Sequence, residues 1–275
     1  MRVTPDGGDM LKARNIISMD YKDTLLDDNS SIAAIRQRIL EGDAIIMKNV
    51  LEKSLVRKIK NYLVQIGQSS MPNYQAIVEG APNYHRINNE DKRAHVQGCF
   101  HQFSFFPWNQ DIFNLFDITR PIFFLKNLIN QQPKDRFLNI KPENGCIARL
   151  SFQFYPKGMG RLNKHSDPVD SHQLTVPTLV MSKRGVDYET GGAYVEGENQ
   201  QLIFVEDGSE IGDVIFFNAL IPHGVKMIDE KREADWLGFE GRWMMIFATN
   251  KLNSNQYVGD ARDLELPHSL PQSVK

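Results

Sequence analysis

Residues 146–167 read CIARLSFQFYPKGMGRLNKHSD. From Leu150 to Phe154 apolar and polar side chains alternate, the period of an extended strand with one face turned to a core. Pro156, Gly158 and Gly160 then break the run, and RLNKHS reads as a second strand after that turn. His165 and Asp167 close the stretch two positions apart. On an extended chain residues i and i+2 point to the same side, so an imidazole nitrogen and a carboxylate oxygen face one point. Taken alone, a His-x-Asp is also compatible with a polar turn in which Asp167 caps local amides.

Working outward toward the C-terminus, six more short apolar runs follow, LTVPTLVMS, GAYVE, QLIFVE, DVIFFNAL, HGVKMI and RWMMIFATN, each closed by Gly, Asp, Pro or Asn. Such a series predicts a sandwich or jelly roll. GDVIFFNALIPHGV (212–225) is a turn, a buried strand and a second tight turn that brings His223 back toward the first pair. Two histidines and one carboxylate on one face of an ion form the facial triad of non-haem Fe(II) oxygenases, and no thiolate competes. Arg242 opens RWMMIFATN, where a buried guanidinium requires an anion. A dicarboxylate would match its fork. The competing partner is Glu240 at the surface, and Arg232 in the charged stretch 226–240 is a second candidate arginine.

Toward the N-terminus the pattern is helical. NSSIAAIRQRILEGD offers a serine cap and apolar Ile32, Ile35, Ile39 and Leu40. DAIIMKNV reads as a short strand. LEKSLVRKIKNYLVQIG places Leu55, Ile59, Leu63 and Ile66 on one face with Gly67 as a stop, and IFNLFDITRPIFFLKNLIN reads as a helix broken or started by Pro121. Residues 68–110 read as irregular, too long a loop to be idle. The expected organisation is one α+β unit with a mostly β core. A helical support and substrate-loop region (1–144) packs on a double-stranded β-helix, jelly-roll or cupin-like (145–252), followed by a polar tail (253–275).

The balance of 32 basic and 34 acidic residues, net −2, implies no strong field and argues against a nucleic-acid partner. The apolar stretches are too short to span a bilayer. The N-terminus lacks a signal-peptide core, and Cys99 and Cys146 form no CxxC pair, so a reducing cytoplasm is the expected compartment.

Together, HSD, PHGV and GRWMMIF resemble the Fe(II)- and 2-oxoglutarate-dependent dioxygenases of the double-stranded β-helix fold. FYPKGMGRLNKHSD is most similar to the prolyl-hydroxylase-type branch. The resemblance covers roughly residues 145–250. It implies His165, Asp167 and His223 as the metal triad and Arg242 on the distal carboxylate of 2-oxoglutarate. Tyr155, ten residues before His165, is the implied co-substrate contact of that branch, and Gln153 is a further candidate. The implied cofactors are Fe(II), 2-oxoglutarate and O2, with ascorbate as a supporting reductant. The implied reaction is hydroxylation, or another oxidation, of a C–H bond with release of succinate and CO2. The chain departs from the pattern at Met244, where many members carry a small hydroxyl residue, and at Ala248, where the nucleic-acid-repair branch has a second arginine.

Asn218 and Gln153 are candidates for holding the ligand tautomers. His85, Arg86, His101 and His172 are candidate substrate contacts. Phe103, Phe105, Phe106 and Trp108 are read as either core or cover for the barrel mouth. A small-molecule substrate is the first expectation. A protein side chain under the same chemistry, a non-catalytic jelly-roll binding protein and a metal-dependent cupin enzyme stay open beside it. Oligomeric state is not read from the sequence.

Overall fold

The computed structural model describes residues 10–23, 28–170 and 172–266. The strands are β1 (Ile16–Asp20), β2 (Ala44–Lys48), β3 (Tyr84–Asn89), β4 (Gly98–Phe105), β5 (Cys146–Pro156), β6 (Arg161–Ser166) and β7 (Thr178–Val180), then β8 (Gly192–Glu196), β9 (Leu202–Phe204), β10 (Val214–Phe216), β11 (His223–Lys226), β12 (Gly241–Lys251) and β13 (Arg262–Asp263). The helices, α1 (Asn29–Leu40), α2 (Lys53–Ser69) and α3 (Leu115–Ile129), all precede β5.

One continuous sheet takes the order β1-β2-β10-β7-β12-β5-β4-β6-β11-β8-β9, with β3 added on β4 and β13 on β6. It curls on itself. β4 makes the bend, pairing with β5 through His101–Phe105 and with β6 through Gly98 and Cys99. The expected double-stranded β-helix is therefore present, and its sheet runs across residue 144, because β2 pairs with β10 and β4 with β5.

β5 and β12 form the longest ladder, from Gly241 opposite Pro156 to Lys251 opposite Cys146. Their alternation separates two environments. Phe152, Phe154, Trp243, Met245 and Phe247 face the helices in the main core, while Gln153, Tyr155, Arg242, Met244 and Ile246 line a cavity between the two halves of the sheet. Each large side chain fully buried in that core contributes about 1.5–3 kcal/mol relative to exposure.

Several expectations are corrected. Residues 84–89 and 98–105 are strands rather than loop. β4 is buried on both faces, so GCFHQFSF lacks a clean polar–apolar alternation. The α1 cap is Asp28, whose carboxylate accepts from the Ser30 amide at 3.0 Å, in place of a serine. α3 runs through Pro121, with buried side chains on both sides of it. Gly67 lies inside α2, which buries Val56, Ile59, Leu63 and Gly67, a face rotated from the expected one. The expected tail contributes β13 to the sheet, and its residues 267–275 lie outside the described ones. Phe103 and Phe105 are core, and Phe106 packs with Trp108, Ile147 and Leu252 in a smaller cluster. Both cysteines are free and buried. Among the described residues no helix is long and apolar enough to cross a membrane.

Gly67 is a site of close approach. A Cβ there would lie 2.2 Å from the Phe239 ring and 3.1 Å from that of Phe103. Gly67→Ala is expected to destabilise the fold by about 1–3 kcal/mol, as overpacking does. Urea denaturation checks it, and an unchanged midpoint would show that Phe239 yields freely.

Candidate metal centre and its anion pocket

β6 delivers His165, and Asp167 follows one residue past the strand end, its amide donating to Ala219 O at 2.9 Å. β11 opens on His223, which stands directly opposite His165 in the β6–β11 ladder. The neighbouring residue must be small. A Cβ on Gly224 would meet Leu162 O and the Tyr194 hydroxyl, both at 2.8 Å, so glycine lets β11 lie close to β6.

The two imidazole rings are 4.1 Å apart between centroids. One ligating atom each from His165, Asp167 and His223 falls within 4.8 Å of the others. His223 Nε2 is 3.5 Å from Asp167 Oδ2. Each histidine places Nδ1 at 2.8 Å from the carbonyl two residues before it, Asn163 O and Ile221 O. A carbonyl only accepts, so Nδ1 carries the hydrogen and Nε2 presents its lone pair to the centre of the triad. Backbone carbonyls thus set the tautomers. Asn218 and Gln153, the expected candidates, are engaged elsewhere: Asn218 accepts from the Leu220 amide at 3.1 Å, and Gln153 accepts from the Tyr155 hydroxyl at 2.5 Å.

Burial, then the neighbouring His223, pushes His165 down to about 4, which keeps it neutral. Burial works against the Asp167 carboxylate, but His223, His165 and Lys126 beside it hold it below its ordinary value. Two imidazole Nε2 lone pairs and an ionised carboxylate suit a divalent first-row metal.

Arg242 is 1% exposed and lies over the Tyr155 ring, 5.2 Å from its centroid. Its charge already has a partner. Arg242 Nε is 2.9 Å from both Glu206 oxygens and Nη2 is 2.8 Å from Oε1. Glu206 also accepts from the Tyr188 hydroxyl at 2.6 Å and the Ala193 amide at 3.1 Å. Burial opposes the Arg242 charge and Glu206 more than offsets it, so the guanidinium is held above its ordinary value. Arg242 Nη1 reaches Met244 Sδ at 2.9 Å, where the resembling family often has a hydroxyl. Of the five N–H donors of a guanidinium these contacts use three, leaving two for a further acceptor. The rival partner Glu240 is instead exposed and pairs with Lys157 at 3.4 Å, and Arg232 is exposed.

Glu206 escaped the sequence reading. Its signal was faint: an acid inside the apolar run QLIFVE, just before the Asp207-Gly208 turn.

The triad, Arg242, Tyr155 and Gln153 all line one cavity of about 80 Å³. The rest of its wall is largely apolar, including Val176, Val205, Ile215, Phe217 and Ile246.

The expected substrate residues separate. His101 lies opposite Phe154 and His85 opposite Phe103, on the helix side of the sheet and away from the cavity. There they form a buried chain, Ser70 Oγ to His85 Nδ1 at 2.8 Å and His85 Nε2 to His101 Nδ1 at 2.9 Å, stacked among Phe103, Phe154 and Phe239. His172 pairs with Asp170 at 3.1 Å, packs on Phe137 and lies outside the cavity wall. Arg86 alone of the four shares the sheet face of Gln153, aligned with it through Gln102, and it too lies outside the cavity wall.

No family model matches the chain, and no curated protein matches it in sequence. Solved structures do. A Pseudomonas putida prolyl-4-hydroxylase superposes with TM-score 0.52 at 13% identity, over 80% of this chain and 98% of that one. The thymine-7-hydroxylase of Neurospora crassa, in complex with α-ketoglutarate and thymine, gives TM-score 0.54 at 12% identity, over 86% of each chain. JOX2 in complex with 2-oxoglutarate, Fe and JA gives 0.50 at 12% identity, over 94% of this chain and 81% of that one. The chain has the double-stranded β-helix fold of those proteins.

The buried charges of this region can be tested one set at a time. Glu206→Gln leaves the buried Arg242 without its counter-charge and is expected to cost about 3–5 kcal/mol, whereas the paired change Glu206→Gln with Arg242→Met is milder. Chemical denaturation of the single and paired variants checks this, and equal loss in both would deny the coupling. Burial pushes His85 down to about 4 and burial with the His85 neighbour pushes His101 down to about 3. The unfolded chain therefore binds protons first as pH falls, so stability is full above the ordinary histidine value and drains away from about pH 6.5 to about 3. His101→Phe should flatten that slope by about 1.4 kcal/mol per pH unit, one proton's worth. Urea denaturation across that range would return parallel curves if the pair were not responsible.

Proposed function

We propose that this chain is an Fe(II)- and 2-oxoglutarate-dependent oxygenase that oxidises a C–H bond of a small molecule, with release of succinate and CO2. The observation that carries the reading is the convergence of His165, Asp167 and His223 inside a barrel cavity that also holds a buried arginine. The donor set fits the ion. Two imidazoles with their hydrogens turned away and one carboxylate form a 2-His-1-carboxylate face, the pattern of non-haem Fe(II) oxygenases.

In this reading His165, Asp167 and His223 hold the metal, and Arg242 offers its two remaining N–H donors to the distal carboxylate of 2-oxoglutarate. Tyr155, its hydroxyl tied to Gln153, forms the wall beside that carboxylate. Bound iron and 2-oxoglutarate would supply the oxidising power by reductive activation of O2, with ascorbate keeping the metal ferrous. The protein's part is to fix the ligands, exclude water and place the substrate. Glu206 and Tyr188 keep the guanidinium fork in one orientation.

The cavity wall favours a small substrate with an apolar body over a protein side chain, because the pocket is enclosed by strands on both sides and largely apolar. The solved structures of this fold include complexes with thymine and with JA, both small molecules. Near-neutral charge gives no support to a nucleic-acid partner. A non-catalytic binding protein is disfavoured, since nothing in a purely structural core requires two imidazoles to aim lone pairs at one carboxylate.

The test is succinate formation from 2-oxoglutarate with Fe(II) and O2, across a panel of small apolar metabolites. His223→Ala should lower turnover at least a thousandfold and abolish the rise in melting temperature that Fe(II) or its redox-silent substitute Mn(II) produces in the wild type. Unchanged turnover or metal stabilisation in His223→Ala would remove that residue from the ligand set and with it this function.

A further inference from the structure

The cavity face of β5 carries Arg149, Ser151, Gln153 and Tyr155 at alternate positions. In register across the sheet, Arg86 aligns with Gln102 and Gln153, Tyr84 aligns with Ser104, Ser151 and Ile246, and Arg149 stands opposite Ala248. Arg149 is six residues from Tyr155 along an unbroken strand, or about 20 Å. That is too far for one short dicarboxylate to bridge Arg149 and the Arg242 end.

Here the charges are not balanced. Arg86 Nε and Arg149 Nε are both buried without a hydrogen-bond partner, and so is Ser151 Oγ between their rows. Among the described residues neither guanidinium forms an ion pair with a carboxylate; the nearest candidate, Asp91, is committed to Arg93 at 2.7 and 2.9 Å. Arg86 lies over the Tyr74 ring, 5.7 Å from its centroid. The two guanidiniums also repel each other: burial lowers Arg86 below its ordinary value and Arg149 adds to the shift. Burial would push the Tyr84 phenol up, yet Arg149, the Ser104 bond and Arg86 together pull it below its ordinary value, which places that phenol in their joint positive field.

Both residues are half-buried, with Nε shut away from water, and a partly desolvated cation without a counter-ion is costly, two close together more so. The same sheet shows how this chain balances a buried arginine for structural purposes, with Glu206 on Arg242. No such acid stands beside Arg86 and Arg149 among the described residues, so their anion is external. Ile246, in register with Ser151, belongs to the metal-cavity wall, which with Val176, Ile215 and Phe217 is apolar and suits a hydrocarbon body rather than a sugar. Resting on the oxygenase reading for the reaction, we propose that Arg86 and Arg149 form a second anion subsite that holds the carboxylate of an apolar small-molecule acid, the substrate, whose body lies in the metal cavity.

Calorimetric titration of the full chain tests this without turnover. The probes are octanoate, cyclohexylacetate and phenylacetate, each beside its primary amide, with phenyl phosphate as a rival anion. The expected result is that at least one acid binds ten-fold or more tighter than its amide. Arg86→Gln and Arg149→Gln should each weaken that acid ten-fold or more while 2-oxoglutarate affinity stays unchanged. Their melting temperatures should hold or rise, since an unpaired charge has been removed; a merely structural arginine would lower them. Equal binding of acids and amides, no binding by any acid, tighter binding of phenyl phosphate, or variants that bind the acid as the wild type does would each overturn the subsite. If the acids bind as expected but 2-oxoglutarate is never consumed in their presence, the oxygenase reading fails and the subsite stands.

Discussion

The unbroken antiparallel register of β5 and β12, Cys146–Pro156 against Gly241–Lys251, governs everything the cavity contains. Because side chains alternate strictly, one face of this pair is committed to Phe152, Phe154, Trp243, Met245 and Phe247 against the helices. The other face is thereby free for Arg149, Gln153, Tyr155, Arg242 and Met244. A slip of one residue would send Trp243 into the cavity and Arg242 into the apolar core. The aromatic side therefore fixes the polar side: the desolvation of five large residues enforces where the guanidinium of Arg242 points. The cavity chemistry is held by packing on the far side of the sheet.

On that polar face charge is treated in two ways. Arg242 is embedded with Glu206, which is itself held by Tyr188 and the Ala193 amide, so each charged atom has a bond. A network satisfied to this degree orients its members and leaves the guanidinium with spare donors rather than spare charge. Arg86 and Arg149 have no comparable acid among the described residues. If the proposed subsite holds, an anion at Arg242 is held chiefly by hydrogen-bond geometry, whereas one at Arg86 and Arg149 gains from neutralising charge.

The centre of this molecule was readable in the chain because its signals are local. His165 and Asp167 lie two apart at a strand end, His223 follows a buried strand and a proline turn, and Arg242 opens an apolar strand. The β-type runs after residue 145 were readable for the same reason. What failed depends on partners distant in sequence. β4 is buried on both faces, and its GCFHQFSF carries no alternation to reveal that it bridges the two halves of the sheet. Gly67 resembled a helix stop because the ring of Phe239, which needs the space, is far along the chain. His85 and His101 resembled ligand contacts because exposed histidines and core histidines look alike until the register shows which face they occupy. Glu206 could be identified only once Arg242 was beside it.

The tautomer of the two triad histidines shows how little the centre asks of the rest of the chain. Each Nδ1–H is held by a carbonyl two residues earlier on its own segment, Asn163 O and Ile221 O. A ligating histidine commonly donates its other ring N–H to a carboxylate, a backbone carbonyl or water. Here the same extended backbone that places the ring also fixes its proton. The β6–β11 ladder then sets the spacing, because His165 and His223 are directly opposed. Gly224 permits the close approach of the strands that this opposition requires. Substitutions in the cavity wall can therefore change what is bound without disturbing how the imidazoles are presented. A barrel built this way keeps the geometry of its triad constant while the residues around it are free to reshape the cavity.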